Sequence, residues 1–290
     1  MSTFNLKPYL VSGDIIPLLR NWAERKEFNL PDLGFFRKLQ EQFTRYMKTI
    51  FPSFEFIPEN ELTEGLKQLV MENKLHPLSL DRVYYQTNPS LEVTRLVVEN
   101  GEDKGVGRRS GALSLLQQFK SLRSIGVWEI ALVDDVIFTG SLLERVVHQL
   151  LRMGFSIPII CVGVGISEGT ERLELKGHKV YCVRKYKEVI DEVCERDFYP
   201  GIPLSGRSLV GSENIGLPYL LPFGNPGKWA SIPQEWQVPL SKFCIKQTIE
   251  LFEEIERCSN RSVSCSELGR SVITLPRDGI RFVDALHLIL

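Results

Sequence analysis

Ile130-Ala131-Leu132-Val133-Asp134-Asp135-Val136-Ile137-Phe138-Thr139-Gly140-Ser141-Leu142 is the stretch whose reading decides the fold. Four apolar residues run into two adjacent carboxylates, a short loop with Thr, Gly and Ser follows, and a helical pattern begins. The apolar run predicts a buried parallel strand, the loop its exit, and the rest a helix opening at its N-terminus. Such a helix start offers unpaired backbone N–H groups and a favourable dipole to a phosphate. Asp134 and Asp135, at the strand end, suit the vicinal hydroxyls of a ribose or a Mg²⁺ ion. The stretch is therefore expected to hold a phosphorylated sugar.

Downstream, Leu142, Leu143, Val146, Val147, Leu150 and Leu151 make a helical stripe that Gly154 closes. Pro158 to Val164 is a second apolar run, Glu168 to Lys176 a short helix, and Lys179 to Val183 a third strand. Upstream, Arg82 to Tyr85 and Val93 to Val98 read as strands around a turn at Asn88-Pro89-Ser90. Residues 99–111, with four glycines, read either as a solvated surface loop or as a mobile loop that closes over phosphates, whose oxygens Arg108 and Arg109 suit. Residues 112–123 predict an amphipathic helix with Leu113, Leu116, Phe119 and Leu122 toward the core. Strand and helix alternate, which implies crossover units, a mainly parallel sheet and a ligand site beyond its carboxyl ends. Val162 to Gly169 has the spacing G-x-G-x-x-x-G rather than G-x-G-x-x-G, so no dinucleotide site is expected there.

Farther out, residues 1–75 predict helices over 15–26, from Pro31-Asp32 to Pro52, and over 61–73. Residues 190–240 mix Pro and Gly with many aromatic residues, too apolar for a disordered linker. They read as an ordered, irregular lid over the sheet's carboxyl edge, or as an interaction surface. A helix over 240–258, a capping box at Ser264 and Glu267 and an apolar tail from Phe282 to Leu290 follow. That tail is expected to pack on this chain, on a protein partner or on a second copy. The expected divisions are a helical N-terminal cap over 1–78, an α/β core over 79–195, the lid over 196–240 and a helical segment over 241–290.

With 290 residues and 43% hydrophobic content, the chain can bury a sizeable core. A formal net charge of −1 gives no global reason for nucleic-acid or membrane binding, though Arg108, Arg109, Lys120 and Arg123 make a local basic patch. No run of 18 apolar residues is present, so no membrane span is expected. Six cysteines without a C-x-x-C pair argue against zinc and for a reducing, cytoplasmic setting.

The order Val133-Asp134-Asp135-Val136-Ile137-Phe138-Thr139-Gly140-Ser141-Leu142-Leu143 resembles the phosphoribosyl-pyrophosphate (PRPP) signature of type I phosphoribosyltransferases. The resemblance implies an α/β fold, a parallel sheet flanked by helices. It implies that Asp134 and Asp135 contact the ribose hydroxyls directly or through Mg²⁺. Val136, Ile137, Phe138, Thr139, Gly140, Ser141 and Leu142 would wrap the 5′-phosphate, and Arg108, Arg109 and Arg95 are candidates for phosphate or pyrophosphate. Two positions depart from the family's Thr-Thr-Gly-x-Thr loop, where Phe138 and Leu142 replace the outer threonines. In the hypoxanthine-type enzymes an aspartate stands at the position of Phe138 and serves the purine as general base, which phenylalanine cannot do. An aromatic residue there is more similar to the pyrimidine-operon attenuators, which join this fold to RNA binding. The long flanking segments resemble the phosphoribosyltransferase-like proteins of bacterial conflict systems, including retrons. The implied functions are transfer or cleavage at ribose C1, a non-catalytic regulatory or nucleic-acid-binding module, and an effector subunit of an anti-phage complex.

Overall fold

The computed structural model describes residues 7–123 and 126–290. In chain order the elements are β1 (Tyr9–Ser12), α1 (Ile15–Lys26), α2 (Leu33–Ile50), β2 (Phe54–Ile57), α3 (Glu59–Asn73), β3 (His76–Ser79), β4 (Val93–Val97) and β5 (Asp103–Arg108). Then follow α4 (Leu115–Leu122), β6 (Glu129–Ile137), α5 (Ser141–Arg152), β7 (Ser156–Ile166), α6 (Ser167–Glu174), β8 (Lys179–Tyr186) and β9 (Asp191–Cys194). The chain ends with β10 (Arg207–Leu209), β11 (Ser212–Leu217), α7 (Pro226–Trp229), α8 (Gln234–Ser259), β12 (Ser271–Val272) and α9 (Phe282–His287). Contacts divide it into two compact units, one of residues up to 56 with 95–105 and 190–290, the other of 57–94 with 106–189.

The second unit holds the parallel sheet that the alternating pattern predicts. Its order is β3-β6-β7-β8, and all three pairings are parallel. α3 lies against β6, β7 and β8 through Leu62, Leu66 and Val70. The other core cluster joins Ile130, Leu132, Ile160 and Val162 of the sheet to Phe119 and Leu122 of α4, to Leu143, Val146, Val147 and Leu150 of α5 and to Leu173 of α6. This is an α/β fold with a parallel sheet flanked by helices.

Three stretches fold differently from the local sequence pattern. Arg82 to Tyr85 is not a strand: the Asp81 carboxylate accepts the backbone N–H groups of Val83, Tyr84 and Tyr85, at 3.0, 2.5 and 2.9 Å, which a ladder would otherwise use. The strand is His76–Ser79, an edge strand short enough to tolerate Pro77. The glycine-rich stretch 99–111 is not all loop, because β5 occupies 103–108 beside β4. In α4, Leu115, Phe119 and Leu122 face the core, while Leu113 and Leu116 are 56% and 61% exposed. The core-facing slot at 118 is taken by Gln118, whose buried amide accepts Glu92 N–H (2.7 Å) and donates to Leu113 O (2.7 Å).

The first unit is built on aromatic packing. Tyr9 of β1 stacks on Phe51 (4.1 Å), Phe43 meets Phe198 (5.4 Å), Tyr46 stacks on Phe243 (4.1 Å) and Phe252 meets Phe282 edge-on (4.7 Å). Residues 190–240 contribute β9, β10, β11 and α7 together with the buried Phe198, Tyr199, Ile202, Leu220 and Trp229, so much of this stretch is core of its own unit. Phe282, Val283, Ala285 and Leu286 of the apolar tail are likewise buried within this chain. Residues 57–78, expected in the N-terminal cap, share their contacts with the second unit, because α3 covers its sheet and β3 is its edge.

Candidate functional site

Asp134 and Asp135 lie within β6 and not at its last residue. β3 stops where Ser79 pairs with Val133, whereas β6 stays paired with β7 as far as Ile137 opposite Gly165. The acid pair is thus at the sheet's carboxyl edge on the β3 side and inside the ladder on the β7 side. Alternation of side chains along a strand sends the two carboxylates to opposite faces. Asp134 is buried and Asp135 half-buried.

A third carboxylate, Asp81, joins them two residues past the end of β3. Burial, then the charge of Asp135, then that of Asp81, push the Asp134 carboxyl well above the usual carboxylate range. Burial and then Asp135 push Asp81 up as well, against the pull of its three backbone N–H groups. Arg109 acts in the opposite sense on Asp134. Its guanidinium donates to Leu80 O (3.3 Å), and its Nε lies 3.8 Å from Glu92 Oε2, which also pairs with Arg82.

After β6, Phe138-Thr139-Gly140 leads into α5. Gly140 is the N-terminal cap, with φ of +73°, a conformation that glycine adopts without strain, and it has no side chain to cap the helix. At the helix start, Thr139 Oγ1 accepts from Ser141 N at 3.4 Å. Thr139 and Ser141 are exposed, with their hydroxyls 3.1 Å apart. Leu142 packs against the core cluster, and Phe138 is half-buried. Within this loop the Leu142 side chain serves packing, while the Thr139 and Ser141 hydroxyls are open to solvent. α5 and α6 each link neighbouring parallel strands, so both begin at the carboxyl edge and direct their positive ends there.

Asp134, Asp135, Arg109 and residues 136–142 are thus parts of one edge of one unit. Arg108 is exposed and bonded to Ala112 O (2.8 Å). Lys120 and Arg123 are exposed, whereas Arg109 is engaged beside Leu80 and Glu92, which separates it from the expected basic patch. Arg95 belongs to the first unit, where its charge acts on Asp191. The sequence reading missed Asp81, Glu92 and Arg82; the signal for Asp81 was its place just after a strand, concealed by the brevity of β3 and its proline.

The side chains at this edge offer carboxylate oxygens, the hard donors that a Mg²⁺ ion takes. Asp135 and Asp81 act as like charges on Asp134, and Asp135 on Asp81, an excess of negative charge at this edge that a divalent cation would relieve. Among the described residues no group of three or more His, Cys, Asp or Glu is arranged to hold a metal by itself. No helix among the described residues is long and apolar enough to cross a membrane.

No protein-family model matches the chain. No curated protein matches it. Among solved structures it is similar to orotate phosphoribosyltransferase from Aeropyrum pernix, at 13% identity and a TM-score of 0.25, over 43% of this chain and 68% of that one. Orotate phosphoribosyltransferase from Mycobacterium tuberculosis shows 12% identity and a TM-score of 0.26, over 43% and 68%. Adenine phosphoribosyltransferase from Thermoanaerobacter pseudethanolicus shows 14% identity and a TM-score of 0.28, over 44% and 80%. These likenesses cover less than half of the chain and do not identify it.

Proposed function

We propose that this chain is a phosphoribosyltransferase-like protein that binds PRPP or a related ribose 5-phosphate, with Mg²⁺, at the carboxyl edge of the β3-β6-β7-β8 sheet. The observation that carries this reading is the continuity of Asp134-Asp135, the Phe138–Gly140 loop and the uncapped start of α5, with Arg109 beside the acid pair. In it, Asp134 and Asp135 receive the ribose hydroxyls and the ion. The N–H groups and hydroxyls of residues 139–142 receive the 5′-phosphate, and Arg109 an anionic leaving group. Mg²⁺ would supply charge neutralisation for a departing pyrophosphate. The carboxylates stabilise positive charge that develops at C1 as the bond to the leaving group lengthens.

Ribose 5-phosphate or PRPP with Mg²⁺ is expected to raise the melting temperature, since a ligand at about 100 times its Kd stabilises by about 2.7 kcal/mol. The double variant Asp134→Asn, Asp135→Asn is expected to lose that shift. No shift in the wild-type protein at millimolar ligand overturns the proposal. The packing of Leu142 into the core and the aromatic side chain at Phe138 favour a second reading, a module that binds without turnover. Pyrophosphate release with a panel of nucleobases distinguishes the two, because the binding module shows the thermal shift and no release.

A further inference from the structure

Gly169 lies in the first turn of α6, where nearly any other residue would make a better helix. Space accounts for the glycine. A Cβ on residue 169 would come 2.4 Å from Phe138 O, 2.5 Å from Ile137 Cγ2 and 2.8 Å from Gly140 N. Reciprocally, a Cβ on Gly140 would come 2.9 Å from Gly169 O and 3.3 Å from its Cα. Loop backbone therefore lies directly on helix backbone, with no side chain between them. Two of the three atoms that a Cβ at 169 would meet are main chain and cannot rotate away.

We infer that Gly169 is a positioning residue for the ligand loop: it sets the depth at which Phe138–Gly140 rests on α6, and so where the N–H groups of Thr139 to Leu142 point. This deepens the proposed ribose-phosphate reading and rests on it. It also gives a role to the last glycine of the G-x-G-x-x-x-G run, which no dinucleotide explains. Gly165 of the same run is the natural contrast. A Cβ there would meet Cys182 Sγ (2.2 Å), Thr170 Cγ2 (2.9 Å) and Cys182 Cβ (3.3 Å), all of them side-chain atoms outside the loop.

Gly169→Ala and Gly165→Ala in the full chain, titrated calorimetrically with ribose 5-phosphate and Mg²⁺, test the inference. Gly169→Ala is expected to weaken binding about tenfold or more, the size of effect that a sub-ångström to 1 Å misplacement produces, and Gly165→Ala to stay within about twofold of wild type. Ile137→Ala added to Gly169→Ala is expected not to restore affinity, since the carbonyl of Phe138 still blocks the methyl group. A folded Gly169→Ala protein that binds like wild type overturns the inference and leaves the ribose-phosphate reading standing. Equal losses in the two glycine variants at equal thermal stability overturn it too. If Gly169→Ala does not fold, wild-type amide spectra decide: the Thr139, Ser141 and Gly169 signals are expected to shift together on ligand addition, and a silent Gly169 beside a shifting loop overturns the inference. A wild-type protein that binds no ribose 5-phosphate brings down both readings.

Discussion

Each unit buries carboxylates, and the two sets are unlike in what surrounds them. In the first unit, Asp14 and Glu195 are fully enclosed, and burial leads the causes that push them up to about 7 and about 8. Their oxygens tie distant segments together. Asp14 accepts Arg196 N (2.9 Å) and pairs with the Arg196 guanidinium, while Glu195 accepts Asp14 N (3.2 Å) and Gln40 Nε2 (3.2 Å). Nearby, Asp197 accepts Gly206 N (2.7 Å). In the second unit, the Asp134 carboxylate accepts the N–H of its own neighbour Asp135 (3.1 Å), and two further carboxylates push its pKa up. Burial and a raised pKa are common to both sets. Like charges also act in both, since Asp14 pushes Glu195 up; what separates the structural cluster from the candidate site is that its oxygens accept donors from remote parts of the chain, whereas Asp134 and Asp81 accept only N–H groups of near neighbours among the bonds described.

The largest expected effect comes from removing a cation from the structural cluster. Arg196→Met leaves Asp14 enclosed without its guanidinium, and breaking such a buried pair costs about 3–5 kcal/mol. Urea unfolding at pH 8 is expected to show a loss near the lower end of that range, shrinking at pH 6, where Asp14 takes up a proton. A loss below about 0.5 kcal/mol, the size of an ordinary surface substitution, breaks the comparison.

At the candidate site the sign reverses. Asp134→Asn removes a carboxylate that burial and two like charges disfavour, and is expected to stabilise the fold at pH 8 by more than the about 0.5 kcal/mol of an ordinary surface substitution. If it destabilises as strongly as Arg196→Met, Asp134 is a structural residue and the contrast fails.

A smaller effect is the pH slope from Asp14 and Glu195. Both have folded-state values above those of the unfolded chain, so the native state holds more protons between about pH 4 and pH 8. Their contribution is fully present below about pH 4 and is lost as pH rises toward about 8. Denaturation series across that window are expected to show a flatter slope in Asp14→Asn, Glu195→Gln than in wild type. An unchanged slope would mean that the cluster does not titrate there.

The smallest is Glu61→Gln, which breaks the half-exposed pair between α3 and Arg184 of β8 and is expected to cost about 0–1 kcal/mol. A larger loss would show that this edge, too, depends on an ion pair.

Much of the second unit was legible because its strands and helices carry strong patterns. The stripe from Leu142 to Leu150 marks α5 within two residues, and the apolar run before Asp134 marks the start of β6, which continues through the acid pair to Ile137. β3 was not legible: four residues with a proline carry no alternation, and the strand exists because β6 offers it a parallel edge. Missing β3 hid Asp81, which organises the following turn and joins the acid pair. Leu113 and Leu116 misled for the opposite reason, since their spacing suits a core face that Gln118 occupies through its bonds to Glu92 and Leu113. Residues 190–240 were legible as ordered through their aromatic content, but which unit they complete depends on contacts with residues up to 56.

The sequence alone determined the local order of strand, acid pair, glycine loop and helix, because short-range periodicity and the conformational freedom of Gly140 are properties of neighbouring residues. Only the tertiary structure decided which charges share that edge. Asp81 and Arg109 come to it from segments separated along the chain, Arg95 falls in the other unit, and Gly169 lies beneath the loop with no room for a methyl group. Burial and mutual repulsion then raise the Asp134 carboxyl through distances in space that spacing along the chain does not encode.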